Sequence, residues 1–153
     1  MTRILLIYGG HAGGRTAAMV QAVREGLDLA QEQLECRALP ALEAGAADLL
    51  WAQGLLIGTP EHFGYMSGAV KDFMDRTFYA VEGKVEGLPY ALFVSAGNDG
   101  SGAVSAVERI ALGYRWKCVA PPIIARGALQ AQDLERCREL GQTFAAGLAL
   151  GVF

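Results

Sequence analysis

The sequence predicts a three-layer αβα sandwich, in which helices cover both faces of a five-stranded parallel sheet of order 2-1-3-4-5. Three observations lead there. Short continuous apolar runs recur at Ile4-Leu5-Leu6-Ile7, Leu55-Leu56-Ile57, Ala91-Leu92-Phe93-Val94, and Ile123-Ile124 following Cys118-Val119. Runs without polar alternation indicate strands covered on both faces. Between them, apolar residues recur at steps of three or four, which places each set on one face of a helix. Strand alternating with helix over 153 residues means parallel strands joined by crossover helices.

The elements follow in order. Ile4 to Ile7 forms the first strand, and Val20, Val23, Leu27, Ala30 and Leu34 mark the first helix. The second strand, around Glu35 to Ala38, is the least strongly marked. Gly54 to Ile57 forms the third strand, followed by a helix carrying Val70, Phe73, Met74 and Thr77. After the fourth strand, Val104, Val107, Ala111 and Tyr114 share a helical face. Pro121-Pro122 interrupts the last strand region, which implies an edge position or a bend. Leu134, Cys137, Gly141, Phe144 and Leu148 mark the final helix.

A chain of this length suits one domain over residues 1–153, able to bury roughly 70% of the surface its unfolded form exposes. Its composition, 52% hydrophobic and 19% charged, is far from that of disordered chains, and no linker, repeat or low-complexity tract divides it. A net charge of −3 without a Lys/Arg stripe argues against nucleic acid or an anionic membrane as a partner. Ile4 to Tyr8 is too short for a signal-peptide core, and the uncharged tail from Leu140 to Phe153 is too short to span a bilayer. A cytoplasmic protein is expected. Cys36, Cys118 and Cys137 lack CxxC spacing or a nearby His, so reduced packing residues are expected rather than a disulfide set or a metal site. The apolar Val152-Phe153 end suits either the domain's own core or a homodimer interface, and both readings stay open.

Three loops leave strand ends on the same rim, where open parallel sheets bind ligands. The first is Gly9-Gly10-His11-Ala12-Gly13-Gly14-Arg15-Thr16. It opens a helix, so free backbone N–H groups and the positive helix end converge on an anion there. Arg15 adds a forked charged donor and Thr16 a hydroxyl. Gly9, Gly14, Arg15 and Thr16 also fit the P-loop pattern with Arg for Lys, but no acidic residue ends a neighbouring strand to hold magnesium. The GxGxxG spacing is absent as well, and a monophosphate is the better guest.

In the second loop, Pro60-Glu61-His62-Phe63-Gly64-Tyr65-Met66, a stiff Pro60 and a conformationally free Gly64 accompany two aromatic rings. Such a loop suits a flat hydrogen-bonding heterocycle. His11 and His62 are candidate proton or hydrogen-bond donors, with solvated loop histidines as the competing reading. The third loop, Ser95-Ala96-Gly97-Asn98-Asp99-Gly100-Ser101-Gly102, places Asp99 or Ser101 to cap the next helix. Its remaining small residues, Ser95 to Asn98, leave room for a ring or a ribityl chain.

From Ile57 to Gly68 and on through Lys71-Asp72-Phe73-Met74-Asp75-Arg76-Thr77, the sequence resembles the isoalloxazine loop and following helix of the flavodoxin-like NAD(P)H-dependent FMN reductases and quinone oxidoreductases. Ser95 to Gly100 is similar to the family's third flavin loop. The resemblance implies a flavodoxin-like sandwich with FMN at the rim, its ring on Pro60 to Met66 and its phosphate on Gly9 to Thr16. It further implies NAD(P)H as co-substrate, a small-molecule electron acceptor, and hydride transfer through flavin N5 without an obligatory protein acid or base. The first loop departs from the pattern, carrying Gly10, Ala12 and Arg15 where the family usually has Ser/Thr hydroxyls. Two other functions stay open at this point: an electron-carrier flavodoxin without turnover of its own, and a flavin-free ligand-binding relative.

Overall fold

The computed structural model describes residues Met1–Phe153. In chain order the elements are β1 (Thr2–Tyr8), α1 (Arg15–Leu29), β2 (Leu34–Pro40), a 3-10 turn (Ala41–Glu43), α2 (Ala46–Trp51), β3 (Gly54–His62), β4 (Tyr65–Met66), α3 (Gly68–Val81), β5 (Pro89–Ala96), α4 (Ser101–Tyr114), β6 (Lys117–Cys118), β7 (Ile123–Arg126) and α5 (Ala131–Leu150). Parallel pairing runs β2-β1-β3-β5, with β6 and β7 both on the outer edge of β5. The five strand positions therefore follow the order 2-1-3-4-5 read from sequence. Two details differ: the fifth position is split in two, and β4 adds a short antiparallel partner to β3.

Residue chemistry accounts for both. Pro121 and Pro122 lie between β6 and β7, on the edge where a missing N–H costs least. Pro60 extends β3 beyond the end of β1, whose pairing stops at Gly58, and pairs only with Ser95 on β5. Phe63 and Gly64 then take positive φ values of 53° and 71°, the pair of left-handed residues a two-residue hairpin favours.

The continuous apolar runs are explained by two cores. Leu5, Ile7, Leu55 and Ile57 face α3 and α4 and join Phe73, Val104 and Val107. Ile4, Leu6 and Leu56 face α1 and α5 and join Met19, Val23, Cys137 and Phe144. Each fully buried Leu or Ile contributes about 1.5–3 kcal/mol relative to exposure. On that second face α1 and α5 approach at Gly26 and Gly141, where a Cβ would overlap the carbonyls of Arg138 and Val23.

Two expectations, on Leu34 and on Cys118, need adjustment, and two further details go beyond the sequence. Leu34 begins β2 rather than ending the first helix, because α1 stops at Leu29 and Gln31 turns the chain at φ 55°. The short helix α2 has no counterpart in the sequence reading. Phe153 packs its ring 5.8 Å from Phe144 against this chain's own core, whereas Val152 beside it stays exposed. Cys36 and Cys137 are packed, but Cys118 lies exposed on β6.

Candidate functional site

The three loops meet at the carboxyl ends of β1, β3 and β5. Gly9 N–H donates to the Gly58 carbonyl at 3.0 Å, carrying the first loop across the top of the sheet. A Cβ at Gly9 would overlap the Ser67 hydroxyl at the start of α3, so only glycine allows this crossing. Gly10 and Gly13 take φ values of 90° and 80°, and Gly14 leads into α1 with no side chain capping its first N–H groups. That helix end is left with free donors and a partial positive charge.

Arg15 ties the rim together. Its Nη1 donates to the carbonyls of Ala96 at 3.0 Å and Gly127 at 2.6 Å, tying the first loop to the third loop and to the end of β7. Thr16 is buried, and its Oγ1 shares a hydrogen bond of 2.7 Å with the Ser95 hydroxyl. The Thr16 hydroxyl thus holds two loops in register. Between the loops lies a cavity of about 340 Å³. Gly10, His11, Gly14, Arg15 and Thr16 line it from the first loop, Pro60 and His62 from the hairpin, and Ser95 from the third loop. Both histidines of the chain face this one cavity.

Other sequence-marked residues take supporting places. Met66 is buried in the core beneath the hairpin, whereas Phe63 at its tip is fully exposed and Tyr65 half-exposed. Ala96 serves through its carbonyl, and Gly97 and Asn98 are exposed. Ala12 and Gly13 form the exposed outer bend of the first loop. Asp99 and Ser101 do not cap α4: the Ser101 hydroxyl donates to Asp99, and the Asp99 carbonyl receives Arg126 Nε at 2.9 Å. Glu61 is the cap, with Oε1 accepting from Gly100 N–H at 3.0 Å and Oε2 from Ala103 N–H at 3.1 Å. A carboxylate there complements the helix dipole and locks the hairpin onto α4. No local motif marks this, because the partners lie about forty residues away. Gly127 and Arg126 likewise escaped the sequence reading, since β7 reaches the rim only through sheet pairing.

The backbone leaves room for a flat phosphorylated ligand. A Cβ built at Gly13, Gly64 or Gly97, one glycine from each loop, meets nothing within 4 Å. The cavity itself is lined by Gly10 and Gly14 at the uncapped start of α1, by Arg15 and by the Pro60 and Ser95 walls, a polar set that fits the phosphate and adjoining chain of FMN.

The sequence profile of the NADPH-dependent FMN reductases matches residues 2–128. The chain belongs to the NADPH-dependent FMN reductase family. It is accordingly an FMN-dependent oxidoreductase. A flavodoxin of Aquifex aeolicus (strain VF5) is 28% identical to it over 99% of this chain and 90% of the relative. An NAD(P)H dehydrogenase (quinone) of Acidithiobacillus ferrooxidans (strain ATCC 53993 / BNL-5-31) is 30% identical over 67% of this chain, which spans only 60% of that relative. Among solved structures, a flavodoxin from the domain Archaea superposes with a TM-score of 0.81 at 21% identity, covering 97% of this chain and 99% of the other. That likeness confirms the flavodoxin-like fold.

Proposed function

We propose that this protein takes hydride from NAD(P)H and passes the electrons, by way of FMN, to a quinone, a free flavin or a similar small acceptor. The convergence of all three loops on one cavity carries the reading. In it the phosphate sits on Gly9 to Thr16, the ribityl chain on Ser95 to Asn98, and the ring on Pro60 to Met66. FMN supplies the hydride-accepting N5, which no protein side chain can replace. The chain's own residues bind and orient. Backbone N–H groups at the start of α1 and the remaining Arg15 donors hold the anion, while Pro60 and the Thr16–Ser95 pair fix the walls. Glu61 holds the hairpin on α4 and so fixes where a ring edge meets backbone N–H groups. The reading takes the protein to work in the cytoplasm with a small-molecule acceptor.

The full-length likeness to a protein named flavodoxin favours a second reading, an electron carrier reduced only by a partner protein. Anaerobic spectra of FMN-loaded protein decide between them. Bleaching of the flavin band within seconds of adding NADPH or NADH supports the enzyme. Oxidised flavin that persists until a partner reductase is added supports the carrier, and protein that ignores micromolar FMN removes both.

A further inference from the structure

We propose that the groove on the α4 side of the hairpin seats the adenosine 2′-phosphate end of NADPH, with Arg109 as the residue that prefers NADPH over NADH. This deepens the reading above, on which the identity of the substrate rests. The groove, about 540 Å³, is separate from the phosphate cavity but shares the hairpin with it: Pro60 and His62 line the cavity, Gly64 and Tyr65 the groove. Its other wall is one face of α4, where Gly102, Ser105 and Arg109 recur at helical spacing. Gly102 abuts Gly64, and Arg109 lies two turns further on, about 10 Å along the axis. A nicotinamide brought to the hairpin thus has the rest of its dinucleotide laid along α4.

Charge selects the occupant. Arg24 and Arg115 share their cavities with acids, Asp28 in the first case and Glu82 and Glu86 in the second. Arg109 has no acid in its groove. Its neighbour Glu108 lines a different cavity, beside Trp116 and Cys118. Lys71, the cation that feels Tyr65 from α3, is already paired with Asp75 at 2.7 Å and 2.9 Å. The groove therefore offers one uncompensated guanidinium, a half-exposed Tyr65 ring and an exposed Ser105 hydroxyl. A guanidinium fork matches a phosphate dianion, whereas the 2′-hydroxyl of NADH gives it nothing to neutralise.

The test uses 2′,5′-ADP and 5′-AMP, which differ only by the 2′-phosphate, titrated calorimetrically into FMN-supplemented protein. The wild type is expected to bind 2′,5′-ADP at least tenfold more tightly, and Arg109→Gln to bring the two within about twofold without changing FMN affinity. Its kcat/KM for NADPH should fall roughly 10- to 100-fold, mainly through KM, while that for NADH stays within about twofold. Equal binding of the two nucleotides by the wild type, or a preference that survives Arg109→Gln, overturns the assignment. The two readings fail separately. Arg109-dependent binding of 2′,5′-ADP with no flavin reduction by either nicotinamide removes the enzyme and leaves the groove. Equal bleaching by NADPH and NADH with no 2′-phosphate preference does the reverse.

Discussion

Glu61 joins the hairpin to α4 through two hydrogen bonds from its carboxylate to backbone N–H groups. Hydrogen bonds to an ionised group are the stronger kind, so Glu61→Ala should cost about 2 kcal/mol and lower Tm by about 4–8 °C. Asp99→Asn, which leaves the α4 cap in place, should stay within about 0.5 kcal/mol. Equal losses in urea unfolding would show that Glu61 is not the cap. Individual cysteines are separated just as clearly. Burial pushes the Cys36 thiol up to about 11 and the Cys137 thiol up to about 12, whereas Cys118 is exposed. The thiolate is the reactive form, so native protein at pH 8 should show one fast-reacting thiol and all three only after unfolding. Two fast thiols in the native state would contradict the packing. At this scale the sequence was partly readable. Glycines and a Pro marked the loops correctly, but the partners of Arg15 and Glu61 depend on packing between distant segments and leave no local pattern.

The hairpin and α4 form a unit, because Gly102 lets the helix meet the Gly64 backbone with no side chain between them. Gly102→Val should displace the hairpin and weaken FMN binding at least tenfold, with far-UV circular dichroism preserved. Gly113 lies in the same helix with nothing within 4 Å of its missing Cβ, so Gly113→Ala should instead stabilise by about 0.5–1 kcal/mol and leave FMN affinity alone. If Gly102→Val binds FMN normally, the ring does not depend on the hairpin's seat. Elements long enough to show a period were legible, including the four main helices and the strands buried on both faces. The six-residue α2 is too short to show one. β4 escaped because its turn uses Phe63 rather than the Asn or Asp usual before a hairpin glycine.

Across the whole molecule, the two cores leave several acidic side chains without the water their ionised forms need. Desolvation raises Cys36, Cys137, Tyr90 and Tyr114 above their ordinary values of 9.0 for the thiols and 10.0 for the phenols. All four are neutral when protonated, so the fold favours the protonated form. Below about pH 9 both folded and unfolded chains hold these protons and stability is indifferent to them. Above it the unfolded chain releases its thiol protons first, binds fewer protons than the native state, and gains stability relative to it. The loss begins near pH 9 for the thiols, continues near pH 10 as the phenols join, and for Cys137 is complete only near pH 12. Cys137 is wholly buried and alone accounts for on the order of 2 kcal/mol between pH 8 and pH 10.5. Urea midpoints should therefore be flat from pH 7 to 8.5 and fall steeply beyond pH 9. Cys137→Ala lowers the midpoint at every pH by opening a cavity, but the decisive quantity is the slope. The variant's decline from pH 8 to 10.5 should be shallower than the wild type's by about that amount, and parallel curves would show that the buried thiol is not what limits the fold in alkali.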